Sequence, residues 1–103
     1  MIDRASQGPN VLVIDDEAGI LDSLRILLKN EGFTPHVALG GRAGLEQIAA
    51  IAPDIVLTDV RMPNVSGLEI LTAVRQRDVD TPVILMTAQA TLQSAMQAVN
   101  EGA

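Results

Sequence analysis

The chain has no cysteine, tryptophan or tyrosine, and Phe33 is its only aromatic residue. Without cysteine there is neither a disulfide framework nor a thiolate metal site. The core must be filled by Val, Ile, Leu, Met and Ala, which favours helices packed closely on a sheet. Basic residues are scarce as well: seven Lys and Arg against thirteen Asp and Glu leave a net charge of −6. Phosphate backbones are held by clustered cations, so direct nucleic-acid binding by this chain is not expected. No apolar run approaches the ~20 residues that cross a bilayer. The opening MIDRASQGPN lacks the basic-then-apolar order of a secretion signal. These absences predict a soluble, cytoplasmic protein with no membrane contact. At 103 residues the chain is long enough to bury one core and too short for two.

What is present repeats a simple order. After a polar, flexible lead over residues 1–10, Val11-Leu12-Val13-Ile14 forms a continuous apolar run, as expected of a strand covered on both faces. It stops at Asp15-Asp16-Glu17. Ile20, Leu24, Leu27 and Leu28 then recur at helical spacing until Gly32 ends the helix. Thr34 to Leu39 reads as a second strand closed by Gly40-Gly41, and Leu45, Ile48, Ala49 and Ala52 as the face of a second helix ended by Pro53. Ile55-Val56-Leu57-Thr58 leads into Asp59, a loop follows from Arg61 to Gly67, and Leu68, Leu71 and Val74 mark a third helix. Pro82 to Met86 ends at Thr87, and Leu92, Ala95, Met96 and Val99 stripe a fourth helix. Strands alternating with helices predict right-handed crossovers, hence an α/β domain with a mostly parallel sheet and helices on both faces.

In such a sheet, ligands bind at the C-terminal ends of the strands, where the strand order reverses. Asp15 and Asp16 close the first strand, Asp59 the third and Thr87 the fourth. If the first and third strands are neighbours, three carboxylates converge and repel one another unless a cation compensates. Hard oxygen donors suit Mg²⁺, whose open positions accept phosphoryl oxygens. Asp59 is then placed to attack a phosphoryl group, and the Thr87 hydroxyl to hydrogen-bond it. Plainer readings stand beside this one. An Asp pair after a strand is usually a helix cap. Thr87 tolerates a strand end, and His36 has no companion ligands. The run Gly40-Gly41-Arg42-Ala43-Gly44 lacks the Gly-Lys-Ser/Thr ending of a phosphate loop. Asp59 resists a plain reading, because burying an unpaired carboxylate costs several kcal/mol or so.

The ordered set Val11 to Glu17, then Leu57-Thr58-Asp59-Val60-Arg61-Met62-Pro63 with Gly67, then Met86-Thr87-Ala88, resembles the receiver domain of bacterial two-component response regulators. The resemblance covers residues 11–103. Its loop from Asp59 to Gly67 and Thr87-Ala88-Gln89 look most like receivers of nitrogen-regulator-type activators. It implies a doubly wound, flavodoxin-like (CheY-like) sheet of strand order 2-1-3-4. It implies Asp59 as phosphoacceptor, Asp16 as a direct Mg²⁺ ligand, Asp15 as a ligand through water, the Arg61 backbone carbonyl as a further metal contact and Thr87 as switch hydroxyl. The phosphoryl donor would be a sensor histidine kinase. The output would be an attached or separate domain, with transcription as its target. The domain would act on itself rather than as an enzyme on external substrates. A receiver-shaped interaction module that is never phosphorylated is the alternative reading. A Mg²⁺-dependent phosphohydrolase is a further one, disfavoured because Arg61 stands where a general acid is wanted.

By the same resemblance, a fifth strand with an aromatic switch residue, a Lys-Pro pair and a fifth helix are missing after Ala103, so the domain reads as C-terminally incomplete. Lys29, the only lysine, lies on the first helix. Two expectations follow from this reading. The fourth strand becomes an exposed edge with its apolar run facing water, prone to self-association. Mg²⁺ binding survives while phosphotransfer is slow.

Overall fold

Continuous apolar runs become strands here because both faces of the sheet are covered. Val11, Leu12, Val13 and Ile14 are each no more than 1% exposed. The computed structural model describes residues 8–86, so Thr87 and the expected fourth helix lie outside the described residues. The chain runs β1 (Asn10–Asp15), α1 (Ala18–Asn30), β2 (Thr34–Leu39), α2 (Gly41–Ile51), β3 (Ile55–Asp59), α3 (Gly67–Arg77) and β4 (Val83–Met86). The four strands form one sheet in the order β2-β1-β3-β4, and every pairing is parallel. No fifth strand occurs among the described residues.

Alternation along β1 divides the core in two. Leu12 and Ile14 pack with Ile48, Ile70 and Val74 under α2 and α3. Val11 and Val13 pack with Leu21, Leu24 and Leu28 under α1. Two helix faces differ from the sequence reading. On α1 the inward stripe is Leu21, Leu24 and Leu28, while Ile20 and Leu27 are exposed. On α3 Ile70 and Val74 face inward and Leu68 is exposed. Both helices carry a broad apolar arc, so the period alone does not fix which part of it turns inward; contact with the sheet does.

The helix ends follow local chemistry. Gly32 takes a φ of +93°, which glycine tolerates, and the amides of Glu31, Gly32 and Phe33 satisfy the last carbonyls of α1. α2 ends at Ala52, which adopts the left-handed region at φ 47°. At α3 the Ser66 hydroxyl accepts the Glu69 amide at 3.3 Å, a Ser-x-x-Glu cap that the sequence reading passed over. Beyond α3 the Arg75 guanidinium donates to the carbonyls of Asp78 and Thr81, which holds the approach to β4.

The outer strands differ. β2 carries Pro35, which an edge strand accepts because one side of its backbone needs no partner. β4 is the other edge among the described residues, yet its side chains are not laid open to water as expected. Val83 is fully buried. Leu85 packs against the α2 and α3 side and Met86 against the α1 side. The strand pairs on one side with β3, and Ile84, Leu85 and Met86 are each half-buried.

Candidate functional site

Ile14 on β1 lies opposite Thr58 on β3, and the next residue on each strand is an aspartate. Register alone therefore brings Asp15 and Asp59 together at the C-terminal edge of the sheet. Asp16 follows as the chain leaves β1. One carboxylate oxygen from each of Asp15, Asp16 and Asp59 lies within 4.8 Å of the others. Burial is graded across the three: Asp15 is buried, Asp59 half-buried and Asp16 exposed.

Asp15 is held most firmly. Its Oδ1 accepts the Glu17 amide at 2.9 Å. Burial pushes its pKa above the ordinary 3.8, the Glu17 amide draws it down, and the negative charges of Asp59 and Asp16 push it up again. Among the described residues, no Lys or Arg is among the groups that act on it. The Asp pair is not a helix cap in the usual sense, since the N-cap of α1 is Glu17 and no side chain caps that helix.

Asp59 sits where β3 turns into a tightly held loop. The Arg61 amide donates to its Oδ1 at 3.3 Å. The Val60 amide donates to the Met86 carbonyl, and the Gly67 amide returns to the Val60 carbonyl, both at 2.9 Å. Between these ties Met62 and Val65 plug into the core. A Cβ on Gly67 would lie 2.4 Å from the Asp59 carbonyl oxygen, so only glycine passes there. Asn64, at φ 72°, takes the left-handed turn that the loop requires.

The structure thus unites Asp15, Asp16 and Asp59, and sets the Arg61 backbone beside Asp59. Thr87 lies outside the described residues; it follows Met86, the register partner of Asp59. The sequence reading missed the amides of Glu17 and Arg61 as ligands of the two carboxylates. Backbone donors leave no trace in residue type, and only the strand-to-loop turn, fixed by register, reveals them.

An acidic triad at the switch point of a 2-1-3-4 sheet is matched by a family model described as the response regulator receiver domain, over residues 11–103. The chain belongs to the response regulator receiver family. Among its relatives, the receiver is 41% identical over 93 residues to the regulatory protein AtoC of Escherichia coli K12, covering 90% of this chain and 20% of AtoC. It is 39% identical over 93 residues to the DNA-binding transcriptional regulator NtrC of the same organism, again covering 90% of this chain and 20% of the relative. The receiver therefore spans about a fifth of either regulator's length. Among solved structures, the response regulator TrrA of Thermotoga maritima, crystallised in complex with Mg²⁺ and BeF, matches with a TM-score of 0.75 and 32% identity. That match covers 87% of this receiver and 78% of the TrrA chain. No helix among the described residues is long and apolar enough to cross a membrane.

Proposed function

We propose that this receiver takes a phosphoryl group from the phosphohistidine of a sensor histidine kinase onto Asp59. The resulting phospho-aspartate shifts the fourth β-α unit between two conformations that control an output. The observation that carries this reading is the convergence of three carboxylates within 4.8 Å around a half-buried Asp59. The reading also places the domain at residues 11–103, after a lead over residues 1–10.

The donor set fits a magnesium ion: all three side chains offer hard carboxylate oxygens, and the Asp59 and Asp16 charges, which add to burial in raising the Asp15 pKa, are charges a divalent ion would offset. Asp15, Asp16, Asp59 and the Arg61 carbonyl would hold it, with Asp15 acting through water. Bound there, Mg²⁺ supplies charge neutralisation for the incoming phosphoryl oxygens.

The chain's own groups account for the rest. The Arg61 amide fixes Oδ1 of Asp59, which leaves the second oxygen as nucleophile. That oxygen forms the new bond to phosphorus as the phosphorus–nitrogen bond to the donor histidine breaks, and the imidazole leaves with the electron pair. The short tether from Val60 to Gly67 steadies the backbone next to Asp59. Thr87, next after the strand partner of Asp59, is assigned the hydroxyl that answers the new phosphoryl group. The domain modifies only itself and turns over no external substrate. The printed name of NtrC, a DNA-binding transcriptional regulator, supports transcription as the output, and the reading assigns the cytoplasm as the place of action.

Beryllofluoride with Mg²⁺ tests the reading by NMR. Shifts are expected at Asp16, Asp59 and Arg61 in the wild-type chain and none in Asp59→Asn. Equal binding by both chains, or by neither, overturns it.

A further inference from the structure

The strand starts, at the opposite end of the sheet from the acidic triad, carry a second arrangement of charge. All four strands begin nearly level: Asn10 pairs with Thr34, Val11 with Ile55 and Val56 with Val83. β2 and β4 are the outer strands, so their starts lie three strand spacings apart, roughly 14 Å. Beside the start of β2 is an open cavity of about 430 Å³ whose lining includes Arg25 and Lys29 of α1 together with Phe33 and Pro35. Arg25 meets Asp22 only at 3.8 Å, with both side chains well exposed, a pairing that contributes little and yields readily. The cavity therefore offers two cations around the ring of the only aromatic residue.

The loop before β4 has the converse character. Val79 is 73% exposed, more than any other large apolar side chain among the described residues, and an aspartate stands on each side of it. It belongs to neither core cluster. The loop is held in shape: Oδ1 of Asp78 accepts the Asp80 amide at 2.8 Å, and the Arg75 guanidinium donates to the carbonyls of Asp78 and Thr81. An apolar knob between two carboxylates is thus fixed in advance, and little freedom is lost when it docks. Asp54 and Arg77 share the rim beside it, which leaves that side acidic.

Knob and cavity match in charge and apolar character, yet their separation keeps one chain from joining its own. Both lie at the same end of the sheet. A two-fold rotation about an axis in the plane of the strand starts therefore sets the loop of each copy over the cavity of the other and closes the pair.

We propose that a second copy of this chain docks here, Val79 of each copy seated against Phe33 and Pro35 of the other and Asp78 and Asp80 facing Arg25 and Lys29. Strand starts meet in this pair, so the two acidic triads lie at its outer ends, open to solvent. The proposal stands apart from the reading of Asp59.

Sedimentation equilibrium of the whole chain, from micromolar to millimolar concentration, tests it. The wild-type chain is expected to pass from monomer to dimer and no further. Each substitution strikes both contacts of the pair, so a roughly tenfold loss at each compounds to a roughly hundredfold rise in the dimer dissociation constant. Val79→Ser, Asp80→Lys and the double variant Arg25→Glu with Lys29→Glu are each expected to show it, with thermal melts confirming that they fold. Leu68→Ser, 57% exposed at the far end of the sheet, is expected to dimerise as wild type does. Mixing the Asp80→Lys chain with the Arg25→Glu, Lys29→Glu chain is expected to restore dimers that neither forms alone, because the new lysine then meets the new glutamates while the native loop meets the native cavity. A wild-type chain that stays monomeric, association that survives Val79→Ser and the charge reversals, or no recovery on mixing overturns the proposal.

Discussion

The Glu17 amide lies 2.9 Å from Oδ1 of Asp15, so the residue that opens α1 also ties down the most buried carboxylate of the triad. The tie restrains the side chain but only partly offsets what burial and two neighbouring charges do to it. Asp15 is held where its charge is unwelcome in the absence of a cation.

The first prediction follows directly. The folded-state pKa of Asp15 is raised above 3.8, so the folded chain holds this proton more tightly than the unfolded one. Stability from this group is then greatest at low pH and falls as pH rises from about the unfolded value through the raised folded value. Asp15→Asn removes that loss. In EDTA, the variant is expected to melt at a higher temperature than wild type at neutral pH, with the gap closing as pH drops below 3.8. Thermal melts across pH check it, and a gap that widens in acid refutes it.

A second prediction concerns metal. Ligand that binds only the folded state stabilises it by about 2.7 kcal/mol at a hundred times its Kd. Saturating Mg²⁺ is expected to raise the wild-type melting temperature, and to raise that of Asp16→Asn or Asp59→Asn little or not at all. Calorimetric melts with Mg²⁺, and with Na⁺ at matched ionic strength, separate site binding from general screening.

Gly67→Ala is expected to cost stability and damage the site together. The added methyl group would meet the Asp59 carbonyl oxygen at 2.4 Å and the Val60 Cα at 2.9 Å, and backbone cannot give way as a flexible side chain can. Overpacking of this kind costs about 1–3 kcal/mol. Urea unfolding gives the loss, and beryllofluoride affinity should fall more than stability alone explains, because the displaced backbone carries Asp59.

Ala52→Gly should act in the opposite direction. Ala52 holds φ 47° at the end of α2, where a Cβ costs about 1–2 kcal/mol and glycine does not. Glycine's greater freedom when unfolded returns part of this, so a gain of about 0.5–1 kcal/mol in urea unfolding is expected, with beryllofluoride binding unchanged.

Three of the strands were legible because each is a short apolar run with a polar stop, while the more polar β2 was marked by its close at Gly40-Gly41. Strand ends and site were therefore read as one pattern: Asp15 and Asp59 stood out as charges at the close of buried runs. Helix faces were harder. α1 places apolar residues at Ile20, Leu21, Leu24, Ile26, Leu27 and Leu28, and more than one stripe can be drawn through them. Leu68 and Ile70 offered a similar choice on α3. The Glu17 and Arg61 amides were not legible at all, since any residue but proline supplies one.

The segment from Val60 to Gly67 is fastened at both ends by one hydrogen bond and plugged at Met62 and Val65. The side chain is free to vary at Arg61, which is exposed, Asn64 is exposed but restricted to residues that accept a φ of 72°, and the length of the segment is fixed. One extra residue would unseat a plug or lift Gly67 off Asp59. Among homologous chains this stretch is expected to change its letters and keep its count, so that an insertion there marks a domain that has given up the chemistry while keeping the fold.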